Sequence, residues 1–170
     1  CNVPGYGLAI GQRIDPNTKG LLASWVSQCR TLDEALRVFT RNSLLMSSIE
    51  RFAARTEGCH LVIERFSDSR AYYPIAFPER SLSALVAWAG YLAQQQVRPV
   101  HASFVWPKPR HWREYLPVFG KSLAFEDTGN RLIFNREVLE LPLVSANHYL
   151  KTLLAEQGAS ELGALQQQRS

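Results

Sequence analysis

The chain has 170 residues, 46% of them hydrophobic and 20% charged, with a formal net charge of +4. That composition excludes a disordered chain or a minimal scaffold and predicts one globular domain with a substantial core. Arg51, Arg55 and Arg65 interleave with Glu50, Glu57 and Glu64, so the basic surplus is spread over a solvated surface rather than gathered into a phosphate-binding face.

The three cysteines, Cys1, Cys29 and Cys59, make no dense, even framework, which predicts a reducing, cytoplasmic compartment. No membrane span is expected. The chain begins with Cys1 rather than Met, so an upstream targeting signal would lie outside it. Residues Val3 to Gly11 are too rich in glycine to assign to helix or strand, and Asp15 to Gly20 is a turn-rich loop. Leu21 to Cys29 predicts a short helix with Leu22, Trp25, Val26 and Cys29 on one face. Thr31-Leu-Asp-Glu34 has the form of a capping box, and the amphipathic helix it predicts carries Leu32, Ala35, Leu36, Phe39 and Met46 on its apolar face.

Arg51–Thr56 and His60–Phe66, alternating in type around Glu57-Gly58, predict an antiparallel hairpin with Leu61 and Ile63 facing the core. A loop from Ser67 to Pro78 carries three aromatics, Tyr72, Tyr73 and Phe77. Ser81 to Val97 comes next, seventeen residues without an ionisable side chain. Leu82, Leu85, Val86, Ala89, Leu92 and Ala93 recur there at helical spacing, and Trp88 and Tyr91 widen the apolar surface beyond one stripe. The segment is too short and too rich in glutamine at its end to cross a membrane. A helix apolar on two sides must be covered on two sides, by the sheet on one and by a cavity, a second helix or another subunit on the other.

Val100 to Trp106 alternates as a strand ended by Pro107 and Pro109, and His111 to Phe119 predicts a short aromatic helix. Ser122–Phe125 and Arg131–Phe134 predict a second hairpin around Asp127-Thr-Gly-Asn130, giving about five strands. Ser145 caps a last helix expected to run to about Gln157 or beyond, and Gly158 and Gly163 weaken its later part. These elements predict an α+β fold, a mostly antiparallel sheet of about five strands packed with helices.

No catalytic constellation, metal site or cofactor motif is legible. Cys59 and His60 are neighbours on a strand and point to opposite faces. The four histidines lack zinc-type spacing, and no G-x-G-x-x-G or P-loop opens a helix. The signal that remains is aromatic side chains around the sheet, which suit a core or an apolar pocket with a few polar groups. The candidate ligand-binding residues, between the central helix and the sheet, are Tyr73, Trp88, Tyr91, Phe104 and Trp106, with Arg98 and His101 as polar contacts. On the last helix Tyr149, Leu150, Leu153 and Leu154 form an apolar stripe suited to the parent domain or to dimerisation.

Several motifs recur in a family order: Gly5-Tyr-Gly-Leu-Ala-Ile-Gly11, Gly20-Leu-Leu, Thr31-Leu-Asp-Glu-Ala-Leu36, Arg98-Pro-Val-His-Ala-Ser-Phe104, Tyr115 with Phe119-Gly120, Phe125, Asn130-Arg-Leu-Ile-Phe134 and Leu139-Glu-Leu-Pro142. In this order the chain resembles the N-terminal regulatory domain of AraC-type transcription regulators, in the group named for an arabinose-binding-like domain. The resemblance implies a bacterial, effector-sensing and dimerising domain, not an enzyme, that reaches promoter DNA only through a C-terminal helix-turn-helix domain. The expected organisation is a remnant of an upstream helical segment at 1–20, the sensing domain at 21–157 and a frayed tail or linker at 158–170, with no operator-binding module of its own. The alternative is an interaction module without a ligand. Because Ser81–Val97 is uncharged, the small-molecule effector is expected to be less polar than a sugar.

Overall fold

Alternating apolar and polar residues build one five-stranded sheet, ordered β1-β2-β5-β3-β4, in the computed structural model. The structure describes residues 3–15, 20–68, 73–143 and 148–169, and the backbone alone of residues 148 and 149. The strands are β1 (Glu50–Glu57), β2 (His60–Ser67), β3 (His101–Ser103), β4 (Leu123–Ala124) and β5 (Asn130–Phe134). β1 and β2 form the expected hairpin, with Gly58 at φ 62 in the first loop position, where a type II′ turn wants glycine.

The register brings Ala54, Ile63, Leu132 and Ala102 into one row across four strands. Leu61, Ile63, Ala102, Leu132 and Phe134 are fully buried on that face. The opposite face carries ion pairs, from Arg55 to Glu57 and Glu64 and from Arg131 to Glu64, each worth about 0–1 kcal/mol at such exposure.

The second hairpin expected from the sequence does not form. β3 lies between its two arms, antiparallel to β5 and parallel to β4. Ala102 and Phe104 are fully buried and take the interior position, while the half-buried Leu123 and Ala124 make a short edge. Glu126 turns the chain at φ 56, and the amides of Glu126 and Asp127 donate to the carbonyls of Trp106 and Phe104 at 2.9 Å each.

The helices are α1 (Tyr6–Gly11), α2 (Leu21–Ser27), α3 (Leu32–Arg41), α4 (Ala76–Ala93), α5 (Leu116–Phe119), α6 (Arg136–Leu139) and α7 (His148–Arg169). The glycine-rich opening is a helix after all. A Cβ on Gly7 would lie 2.3 Å from the Ala76 carbonyl oxygen, and one on Gly11 would lie 2.5 Å from that of Arg80. Only glycine lets the two backbones approach this closely. The pair is pinned by polar bonds: Ser83 Oγ donates to the Leu8 carbonyl at 2.9 Å, and Gln12 Nε2 donates to the Ser83 carbonyl at 2.8 Å.

At α3, Thr31 Oγ1 accepts from the Glu34 amide as expected, while Glu34 reaches back to the Arg30 amide at 2.8 Å rather than to that of Thr31. The helix closes at Arg41, and a 3₁₀ turn succeeds it at Ser43–Leu45, so Met46 leaves the expected apolar face and is exposed. α4 starts earlier than its uncharged stretch, because Pro78 is tolerated in a first turn and Glu79 finds partners inside the fold. Gln94 ends it in the left-handed conformation, φ 57 and ψ 31.

The region expected as an aromatic helix is a 3₁₀ turn, Trp112–Tyr115, running into α5. α7 continues past Gln157 to Arg169, with Gly158 buried against the Trp25 ring. The expected cap Ser145 and the loop residue Tyr72 lie outside the described residues. Among the described residues no helix is long and apolar enough to cross a membrane.

Candidate functional site

α4 divides the interior into two sites of different chemistry. On one side lies a cavity of about 490 Å³, bounded by the end of α1, by α2 and α3, by the 43–49 segment, by β1 and by α4. Its walls are mainly apolar: Leu22 and Val26 come from α2, Leu36 and Phe39 from α3, Phe52 from β1, and Leu85 and Trp88 from α4.

The polar part of the lining is Glu50, Ser81, Arg80, Arg13 and Asp15, together with Ser43 and Ser47. Glu50 Oε2 accepts from Arg65 Nε at 2.7 Å, and Oε1 accepts from Ser81 Oγ at 3.0 Å. Arg65 is only 5% exposed and its guanidinium lies 5.3 Å from the Phe77 ring centre, a cation–π contact. Its Nη2 is buried without a hydrogen-bond acceptor among the described residues.

On the other side of α4, Glu79 is 1% exposed inside an aromatic cluster. Tyr115 Oη donates to Glu79 Oε1, His111 Nε2 lies 2.6 Å from the same oxygen, and Trp106 Nε1 donates to Tyr115 Oη at 3.1 Å. Burial, and then the hydrogen bond and charge of Glu79, hold the Tyr115 phenol well above the ordinary tyrosine range. Phe104 is the hub of this cluster, with Trp106, Tyr115, Phe119 and Phe125 between 5.0 and 5.4 Å away, ring centre to ring centre. The network fixes the first turn of α4 to the 111–119 segment.

Of the seven candidate ligand-binding residues, Trp88 lines the cavity. Tyr73 stacks at 4.9 Å on Phe77, which does line it. Tyr91 is 44% exposed and meets Trp88 edge-on at 5.4 Å, outside the cavity wall. Phe104 and Trp106 belong to the Glu79 cluster. Arg98 is exposed, with Nε donating to the Pro117 carbonyl at 2.9 Å, and His101 pairs with Ser122 Oγ at 2.7 Å. Neither lines the cavity.

On α7, Leu150 and Leu153 are exposed, Leu154 packs against the core, and the side chain of Tyr149 lies outside the described residues. Sequence reasoning missed Glu50, Ser81, Arg80, Arg13, Phe77 and Phe39 as site residues. Ser81 marks the edge of the uncharged stretch, Phe77 is one of the loop aromatics and Phe39 lies on an apolar helix face, but none of these patterns separates a cavity wall from a core.

Residues 1–143 match the family described as the arabinose-binding domain of AraC transcription regulators, N-terminal. The ornithine utilization regulator of Pseudomonas aeruginosa is 25% identical over 148 residues, which cover 86% of this chain and 44% of that protein. The crystal structure of the transcriptional regulator CdpR from Pseudomonas aeruginosa superposes with a TM-score of 0.67 at 18% identity, over 89% of this chain and 50% of that one. At that identity the likeness to CdpR is one of fold. The chain spans about half the length of these relatives.

Proposed function

Because the chain belongs to the family of N-terminal arabinose-binding domains of AraC transcription regulators, we propose that it senses a small-molecule effector in the cavity beside α4. The ligand acts by binding the active and inactive arrangements of the whole regulator with different affinity. Promoter DNA is contacted by a separate helix-turn-helix domain, not by this chain.

The observation that carries this reading is a preformed, mainly apolar cavity of about 490 Å³ with a minority of polar groups in its lining, within the ~300–1,000 Å³ usual for small-molecule sites. A route from the cavity to the last helix supports it. Leu22 and Val26 of α2 line the cavity, and Trp25 of the same helix bears on Gly158 of α7. The ion pair of Lys151 with Glu34 ties α7 to the start of α3 as well.

Native mass spectrometry of the purified domain, compared with its denatured mass, tests for a retained molecule. The next step is a thermal-shift screen of metabolites, amino acids included because one relative is named for ornithine utilization. Trp88→Ala is expected to abolish binding of any hit while the far-UV spectrum survives. Unchanged affinity in that variant would remove the cavity as the site.

A second reading, pairing of two copies through α7, is favoured by Leu150 and Leu153, which are 40% and 43% exposed on a helix that also packs on α2 through Gly158. Sedimentation that gives a monomer at every concentration would rule it out.

A further inference from the structure

We infer that the cavity takes an amphipathic anion, a carboxylate on an apolar body, rather than a sugar; this rests on the cavity being the effector site. The apolar part comes from the walls. The cavity could hold about sixteen water molecules at ~30 Å³ each, yet most of its lining is aliphatic or aromatic, which leaves a polyol's hydroxyls without partners.

The anion comes from a count of charges in the lining. Arg13 and Arg80 line the cavity, as do two carboxyl groups, those of Glu50 and Asp15, and a third arginine, Arg65, is paired with Glu50. Glu50 is already committed to Arg65 and Ser81, and Asp15 has an interaction of its own. The side chains of Arg13 and Arg80 are exposed and have no hydrogen-bond or ion-pair partner among the described residues, although both line the cavity. The segments that carry them are held together, because Gly11 packs directly on the Arg80 carbonyl and Gln12 is bonded to Ser83. Two guanidinium forks lining one mainly apolar chamber match a carboxylate, which can accept charge-assisted bonds from both. An ammonium group would meet net positive charge there, and a neutral head would leave both arginines as they are.

The test uses three ten-carbon probes of one shape, decanoate, decanol and decylamine, titrated below their aggregation range and monitored by intrinsic tryptophan fluorescence. Each is added to the wild-type chain and to Arg80→Gln, Arg13→Gln/Arg80→Gln and Ala84→Phe, the last of which fills the chamber. Decanoate is expected to bind saturably and one-to-one, more tightly than the other two. Arg80→Gln should weaken it about tenfold, the effect of losing one charge-assisted bond, and leave decanol unchanged. Decanol or decylamine binding as tightly as decanoate to the wild type, or decanoate indifferent to the double arginine variant, overturns the anion while leaving the cavity as a site. Failure of all three probes, or binding that survives Ala84→Phe, removes the cavity reading and the anion with it.

Discussion

Replacing Tyr115 by Phe removes one oxygen and leaves the ring in place, so its effect isolates the polar network behind α4. Tyr115 is fully buried; its hydroxyl donates to Glu79 and accepts from Trp106. Glu79 itself is 1% exposed, so no water replaces the lost donor, and His111 is left as its remaining side-chain partner among the described residues. A buried acceptor deprived of a donor costs about 1–3 kcal/mol. The Trp106 N–H also loses its acceptor, at a smaller cost because that side chain is only half-buried. The expected destabilisation is therefore about 2–3 kcal/mol, which for a domain of this size lowers the melting temperature by roughly 4–12 °C. Urea and thermal unfolding measure it, with Phe125→Leu in the same cluster as a control for packing alone. A Tyr115→Phe protein within about 0.5 kcal/mol of wild type would mean that the Glu79 network contributes nothing net, and that the early start of α4 needs another explanation.

Gly11→Val should detach α1 from α4, since even a Cβ there would lie 2.5 Å from the Arg80 oxygen and 2.7 Å from Ser83 Cβ; a loss of about 1–3 kcal/mol and faster proteolysis near residue 12 are expected. Gly158→Ala and Gly163→Ala form a matched pair on α7: a Cβ at 163 meets nothing within 4 Å and one at 158 lies 2.7 Å from the Trp25 ring. The first change should therefore fail to stabilise, while the second gains up to about 1 kcal/mol in helix propensity, read by thermal melts. Burial pushes the Cys29 thiol from 9.0 up to about 11, with Lys151 pulling slightly the other way, so the folded state holds this proton more tightly than the unfolded one. Its contribution is fully present below pH 9 and is lost as pH rises toward 11, at up to ~1.4 kcal/mol per pH unit, a slope that Cys29→Ala should flatten in denaturation curves. Peptide mapping after alkylation at pH 8 should find the exposed Cys59 modified and Cys29 protected until the chain unfolds.

The sequence is informative where burial keeps a period. Leu61 and Ile63 alternate, Leu22, Trp25 and Val26 recur, and each group is buried as its spacing requires. The Thr31–Glu34 cap is legible because a hydroxyl three residues before a glutamate has a local partner. The illegible features depend on partners far along the chain. Glu79 sits beside Arg80 and carries no mark of burial, because its partners at 111 and 115 come from another element. The glycines of α1 read locally as helix breakers, since nothing nearby in sequence says that the space of their missing side chains is occupied by Ala76 and Arg80. β3 separates β4 from β5 through pairing that no hairpin signal encodes. The aromatics point to the other side of α4, where they pack around Phe104. The open side is walled mostly by aliphatic residues of α2, α3 and α4, whose pattern is that of any core.

The two sides of α4 are held to different degrees, and this bears on how the proposed effector would act. The α4 wall is fixed by the backbone contact at Gly7 and Gly11, by the Ser83–Gln12 bonds and by Glu79 with its two partners. The facing wall, α2, is a seven-residue helix with no side-chain cap at its start. Trp25, which does not line the cavity, has a buried Nε1 without a hydrogen-bond partner among the described residues. A ligand filling the chamber touches α4, held by these backbone and polar contacts, and α2, held by the packing of Leu22, Trp25 and Val26. The next neighbour of α2 is α7.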